Sequence, residues 1–171
     1  MIKWKPIVDM LLLLDGEHVS LKHTNNIPIG NPHFVEIMKQ LESAKYDFSS
    51  VDWIDYYPSV HFDNTCVDEF SKLVDHKICR AWISRVDPGK NAPWHWDVDD
   101  QETEFLKLGK LKRWTCFITE PKVGHSLIIG NKGFYNEPAG TIYEWPNYRE
   151  WHCAANCGME PQFLFHFLGF K

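Results

Sequence analysis

The pattern of apolar and polar positions changes near residue 77. Before it, apolar residues recur mainly at helical spacing; after it, they alternate or cluster in short runs cut by Gly, Pro and Asn. In the first part, residues 7–14 and 17–21 predict two strands around Asp15-Gly16, a favoured two-residue hairpin turn. A helix is the competing reading over residues 10–14. Asn31-Pro32 predicts a helix start, since Asn caps and Pro fits the first helical position. Phe34, Val35, Met38 and Leu41 then recur to about Lys45. Residues 46–60 are aromatic and irregular. Thr65, with Asp68 three positions on, predicts a capped helix carrying Val67, Phe70, Leu73 and Val74 to about His76.

From residue 78 the pattern predicts eight short strands, at 78–86, 94–97, 113–119, 126–129, 134–135, 141–145, 150–154 and 162–168. Asp87-Pro88-Gly89 is a turn, and 99–111 is a polar, charged loop. Eight strands with turn signals between them predict a barrel or double-sheet jelly roll, with the helices packed outside one sheet. The fold class expected is mainly β with flanking helices. A single domain is expected over 1–171, with the hairpin and supporting helices in 1–77 and the jelly-roll core in 78–171.

Composition narrows the classes. With 15% aromatic residues the chain can bury a large core, which argues against disorder. A formal net charge of -5 argues against a general nucleic-acid binder. The 5 cysteines form no paired framework, so a reducing compartment is expected. The aliphatic run Leu11–Leu14 is too short to span a membrane and lacks a secretory cleavage pattern. A soluble, cytoplasmic protein with no membrane partner is expected.

The candidate chemistry lies in Trp94-His95-Trp96-Asp97 and in His152. Residues two apart on a strand point to one side, so His95 and Asp97 are expected to face inward and both tryptophans outward. A second imidazole brought alongside by later strands gives two nitrogens and one oxygen. That set holds a mononuclear iron with positions left open for substrate and oxygen. Alone, His-x-Asp is a weak pattern, and an ordinary His with a solvated Asp at a loop edge is the plain alternative. A second copy, His61-Phe62-Asp63, precedes the Thr65 helix and reads as surface or capping. Cys153 and Cys157 beside His152 suggest zinc only weakly, since no second Cys pair has ligand spacing. No Gly-rich phosphate loop or serine nucleophile elbow is present.

The run Arg85-Val86-Asp87-Pro88-Gly89, then His95-Trp96-Asp97, then His152 with Asn156 and Gly158, resembles the iron(II)/2-oxoglutarate-dependent dioxygenase superfamily. The aspartyl/asparaginyl and prolyl hydroxylase branches are the most similar, over residues 78–169. The resemblance implies a double-stranded β-helix, the cupin-like jelly roll. It implies Fe(II) held by His95, Asp97 and His152, with 2-oxoglutarate as cosubstrate. Oxygen would be consumed, and an amino-acid, peptide or small-molecule substrate hydroxylated.

Two departures qualify it. The aspartyl/asparaginyl branch usually lacks the carboxylate ligand that Asp97 supplies. Family members also usually carry Arg or Lys ten to fourteen residues after the second His, for the far carboxylate of 2-oxoglutarate. Residues 160–166 here contain neither. A buried dianion needs a counter-charge or dense hydrogen bonding. Arg113 is the expected replacement, because the aspartyl/asparaginyl branch carries an Arg on that strand; Thr115 would share its face. Gln162 and His166 would add hydrogen bonds from the last strand, with Tyr143, Lys122 and Lys132 as weaker candidates. The alternatives are a cupin-like metal-binding protein that does not use 2-oxoglutarate, and a non-catalytic binding module on the same fold.

Overall fold

The computed structural model describes residues 3–20, 39–40, 42–45, 48–95, 105–107 and 109–171, with the backbone alone at 17–20 and 48. Ten strands form two sheets. In chain order they are β1 (Glu17–Ser20), β2 (Asp52–Tyr56), β3 (Lys77–Val86), β4 (Asn91–His95), β5 (Leu111–Phe117), β6 (His125–Ile129), β7 (Lys132–Phe134), β8 (Ile142–Glu144), β9 (His152–Asn156) and β10 (Gln162–Phe170). Two helices, α1 (Trp4–Leu11) and α2 (Thr65–Val74), accompany them.

The six-stranded sheet runs β1-β2-β3-β10-β5-β8 and the four-stranded sheet β4-β9-β6-β7. All pairs between these strands are antiparallel, and the chain crosses between sheets after β3, β4, β5, β7, β8 and β9. This is the expected double-sheet jelly roll. All eight strands expected after residue 77 are present, with ends shifted by a few residues.

The centre of the molecule is β10. Its Phe163, Phe165 and Phe167 face the helices, joining Phe70, Trp114, Cys116, Tyr56 and Leu11 in one buried cluster. Phe70 and Phe167 stack in parallel with ring centroids 3.6 Å apart. Leu164, on the other face of β10, joins Val86, Phe117, Leu127, Ile129, Phe134, Trp145 and Ala154 between the sheets. A strand covered on both faces reads as a continuous apolar run rather than an alternating one. His166 interrupts that run, yet is only 4% exposed.

The first expected strand is corrected: residues 4–11 are helical. The deciding apolar positions are Trp4, Ile7, Val8 and Leu11, spaced as one face of a helix, and these pack on the helix-side core. The aliphatic run that suggested a strand contributes little, since Leu13 is 87% exposed. Lys5 and Asp9, an i,i+4 ion pair 2.6 Å apart, lie on the wet face. The second expected strand exists as β1, but it pairs with β2 instead of closing a hairpin. Gly16 permits that pairing: a Cβ there would sit 2.4 Å from Ile54 Cγ2.

The expected helix from Asn31 lies mostly outside the described residues; 39–40 and 42–43 are helical. The irregular stretch after it contains β2. The expected helix at Thr65 forms, but its cap differs. Asn64 occupies the cap position without a side-chain bond, and the Asp63 carboxylate accepts the Thr65 N–H at 2.8 Å. That hydrogen bond, from the Thr65 backbone, holds the Asp63 carboxyl below its ordinary range. The Asp87-Pro88-Gly89 turn holds as read and joins β3 to β4; Gly130, at positive φ, starts the β6–β7 turn. No helix among the described residues is long and apolar enough to cross a membrane.

Candidate metal and anion site

His95 and His152 are directly opposed across β4 and β9. A bulge produces this. Ala92 pairs with Ala154 and His95 with His152, so three steps along β4 match two along β9. The extra residue falls at Pro93-Trp94, where Pro has no N–H to give to a ladder. Strict alternation from the buried Ala92 would turn His95 outward. The bulge restores it to the inner face and leaves Trp94 outside, 41% exposed and stacked on Trp151.

Both imidazoles are held the same way. His95 Nδ1 lies 2.6 Å from the Pro93 carbonyl oxygen, and His152 Nδ1 lies 3.1 Å from that of Glu150. A carbonyl only accepts, so each Nδ1 carries the hydrogen and each Nε2 keeps its lone pair. This is the second-shell arrangement by which metal-ligating histidines are oriented. The ring centroids are 4.2 Å apart at 50°. Metal–nitrogen bonds of about 2.1 Å meeting at a right angle would put two such centroids roughly 4.6 Å apart. The observed centroid spacing is within about half an ångström of that value. His152 is 5% exposed and packs edge-on to Trp145, and His95 stacks on Trp53.

Asp97 lies outside the described residues. Among the described residues, no group of three His, Cys, Asp or Glu side chains is placed to hold a metal. The decoy copy is committed elsewhere: His61 Nδ1 accepts the Tyr57 N–H at 2.9 Å, and Asp63 caps α2. The thiol of Cys153 is pushed up by burial, and Cys157 is exposed; none of the five cysteines is in a disulfide.

Arg113, Thr115 and His166 come together on the inner face of the six-stranded sheet. Thr115 is opposite His166 in the β5–β10 register, and Arg113 lies two residues along β5. All three are buried, at 3%, 0% and 4% exposure. The Arg113 guanidinium lies 3.7 Å from the Trp145 ring centroid and 5.1 Å from that of Trp82. His166 stacks on the same Trp82. Trp145 Nε1–H donates to Thr115 Oγ1 at 2.9 Å, and Thr115 Oγ1 lies 3.0 Å from His166 Nδ1. The hydroxyl accepts from the indole and still has a proton and a lone pair for His166 Nδ1; in the tautomer in which it donates, the imidazole hydrogen is on Nε2. Trp145 touches both Arg113 and His152, so it joins the arginine cluster to the imidazole pair.

Two expected residues sit apart. Gln162 starts β10 opposite Val86, four residues and roughly 13 Å along the strand from His166. Its Oε1 is buried without a hydrogen-bond partner. Tyr143 is opposite Thr115 on β8, but its ring packs on Phe134 and under the Lys132 amine. Lys122 pairs with Glu160 at 3.1 Å. Sequence reading did not assign Trp82 and Trp145 to the arginine, or Trp53 to His95. Pro93, two residues before His95, was the one available signal of the bulge.

Comparison with solved structures bears on the fold. A viral collagen prolyl hydroxylase from Paramecium bursaria Chlorella virus-1, in complex with 2OG, aligns over 91% of this chain and 96% of its own, at 10% identity and TM-score 0.51. The chain has the jelly-roll fold of that hydroxylase. A Pseudomonas putida prolyl-4-hydroxylase aligns over 98% of this chain and 99% of its own, at 10% identity and TM-score 0.45. A cupin domain from Bordetella pertussis aligns over 56% of this chain and 91% of its own, at 13% identity and TM-score 0.37. No protein-family model matches the sequence, and no curated protein matches it. In this jelly roll the imidazole pair stands at the end of β4 and the start of β9, and the buried arginine on β5.

Proposed function

We propose that this chain is an iron(II)- and 2-oxoglutarate-dependent oxygenase that hydroxylates an amino-acid side chain. One observation carries the reading: two inward imidazoles, each with its Nδ1 on a backbone carbonyl oxygen, share the jelly-roll interior with a buried arginine. His95 and His152 would hold the metal, with Asp97 as the third ligand. Bound Fe(II) would supply oxygen activation coupled to decarboxylation of 2-oxoglutarate. Arg113 would take the far carboxylate of the cosubstrate, and His166 Nε2–H would add a second donor. Thr115 and Trp145 fix that imidazole by their hydrogen bonds. The indoles of Trp82 and Trp145 exclude water around the guanidinium, which strengthens its attraction for an anion.

Anaerobic addition of Fe(II) and then 2-oxoglutarate tests this. A visible charge-transfer band is expected, lost in His95→Ala and in His152→Ala. Admission of oxygen is expected to yield succinate.

The second reading is a cupin-like metal protein that does not use 2-oxoglutarate. The absence of Arg and Lys from residues 160–166 favours it. Metal uptake without the band would select it. Failure to take up metal, with binding and stability unchanged in His95→Ala, would select a non-catalytic module.

A further inference from the structure

At the same end of the barrel as the imidazole pair, an open cleft of about 560 Å³ runs along the rim, a volume in the range of small-molecule sites. Trp94, Trp151 and Tyr143 give it aromatic walls, and Pro146, Lys132 and Glu150 complete them. The two charges are opposite and belong to different strands' ends. Lys132 begins β7, its amine 4.4 Å from the Tyr143 ring centroid. Glu150 precedes β9 and is set over the β6–β7 turn, its Cδ 3.2 Å from where a Gly130 Cβ would lie. No ion pair joins Lys132 to Glu150 among the described residues. An ammonium and a carboxylate that face one cleft without meeting leave room for a ligand carrying both complementary charges.

We propose that this cleft binds a free α-amino acid in its zwitterionic form. The ligand carboxylate goes to Lys132, the ligand ammonium to Glu150, and the side chain lies against the indoles. The ammonium also gains from the aromatic faces, which attract cations. Glu150 ties this cleft to the metal site: its backbone carbonyl accepts from His152 Nδ1, while its side chain lines the cleft. As an assignment of substrate this rests on the oxygenase reading; as a binding site it does not.

The test uses metal-free full-length protein and tryptophan fluorescence, so binding is read without turnover. The probes are the twenty standard amino acids, followed by the N-acetyl, C-amide and doubly capped derivatives of the best binder. Saturable binding of at least one free amino acid is expected, weakened about tenfold by either cap, as expected for loss of a charge-assisted contact. Lys132→Met is expected to remove the penalty of the amide, and Glu150→Gln that of the acetyl group. Equal or tighter binding of the doubly capped form would overturn the proposal in favour of a peptide groove. Absence of saturable binding by any free amino acid would also overturn it. Either failure leaves the charge-transfer test of the metal site standing, and a missing band leaves the binding test standing.

Discussion

Thr115→Val isolates the hydrogen bonds that fix His166. Valine has nearly the shape of threonine, so the buried volume is kept while the hydroxyl is lost. Two groups then lose their partner: Trp145 Nε1–H, bonded at 2.9 Å, and His166 Nδ1, at 3.0 Å. Thr115 is fully buried, so water does not replace the hydroxyl. Each orphaned polar group costs about 1–3 kcal/mol, giving about 2–6 kcal/mol for the two together. That is a large share of a total stability of about 5–15 kcal/mol. With a urea slope of about 2 kcal/mol per molar, the unfolding midpoint is expected to fall by about 1–3 M. Thr115→Ser keeps the hydroxyl and loses one methyl, for about 1 kcal/mol. The same pair separates structure from function. Thr115→Val is expected to weaken 2-oxoglutarate binding to the metal-loaded protein by about tenfold, the worth of one hydrogen bond, and Thr115→Ser to retain it. If Thr115→Val unfolds within about 0.5 kcal/mol of the parent, below the cost of a single orphaned group, the hydrogen-bond argument is wrong. If Thr115→Ser is the more damaging of the two, packing rather than hydrogen bonding governs the position.

Other perturbations have equally definite outcomes. Arg113→Met keeps the stem between the indoles and removes the charge; metal uptake by calorimetry is expected to persist while 2-oxoglutarate affinity falls at least tenfold. Phe70→Ala breaks the parallel stack with Phe167 and empties a fully buried site, at a cost of about 3–5 kcal/mol in chemical denaturation. Iodoacetamide is expected to label Cys157 first, because burial pushes the thiols of Cys66 to about 11 and Cys116 to about 12; rapid labelling of Cys116 in native protein would contradict its placement. Asp63 has a lowered folded pKa, so its cap contributes above the unfolded value of about 3.9 and is lost as pH falls through the folded one. The stability gap between parent and Asp63→Ala is therefore expected to be constant near neutral pH and to close below about pH 4, measured by urea midpoints across pH 2.5–7.

Most of the barrel was legible because its strands carry their own punctuation. Gln162 to Phe170 is apolar with a bounding Pro161, and Asp87-Pro88-Gly89 marks a turn that the structure keeps. The N-terminal segment misled for a definite reason. A dense run, Leu11–Leu14, outweighed the sparser i, i+3, i+4, i+7 set that packs, and Asp15-Gly16 offered a hairpin that tertiary pairing with β2 overrode. The inward direction of His95 was expected from alternation with Trp94 and Trp96. The structure reaches that direction through a bulge, so simple alternation from the buried Ala92 would have given the opposite answer. The approach of Trp82 to Arg113 was beyond the sequence. It depends on two strands separated by β10 and on a side chain that reaches across it.

The burial of Arg113 also bears on what the interior is for. At the end of the barrel away from the imidazole pair, apart from Gln162 Oε1, polar groups bond to neighbouring backbone. Asn156 Nδ2 donates to the Val86 and Glu160 carbonyls at 2.8 and 2.7 Å, and His125 Nε2 lies 2.9 Å from the Glu160 carbonyl oxygen. Those groups hold loops together and need no ligand to account for them. A guanidinium at 3% exposure is different in kind, since taking it out of water costs several kcal/mol even after relaxation. Aromatic faces return about 2 kcal/mol or somewhat more when desolvated. An apolar residue of similar volume would fill the same space between Trp82 and Trp145 at lower cost. In the proposed oxygenase the arginine would attract an anion, since a desolvated charge is worth most to a ligand that arrives in the same dry interior. On that reading, with no Arg or Lys in residues 160–166, the far carboxylate of the cosubstrate would fall to Arg113 on β5.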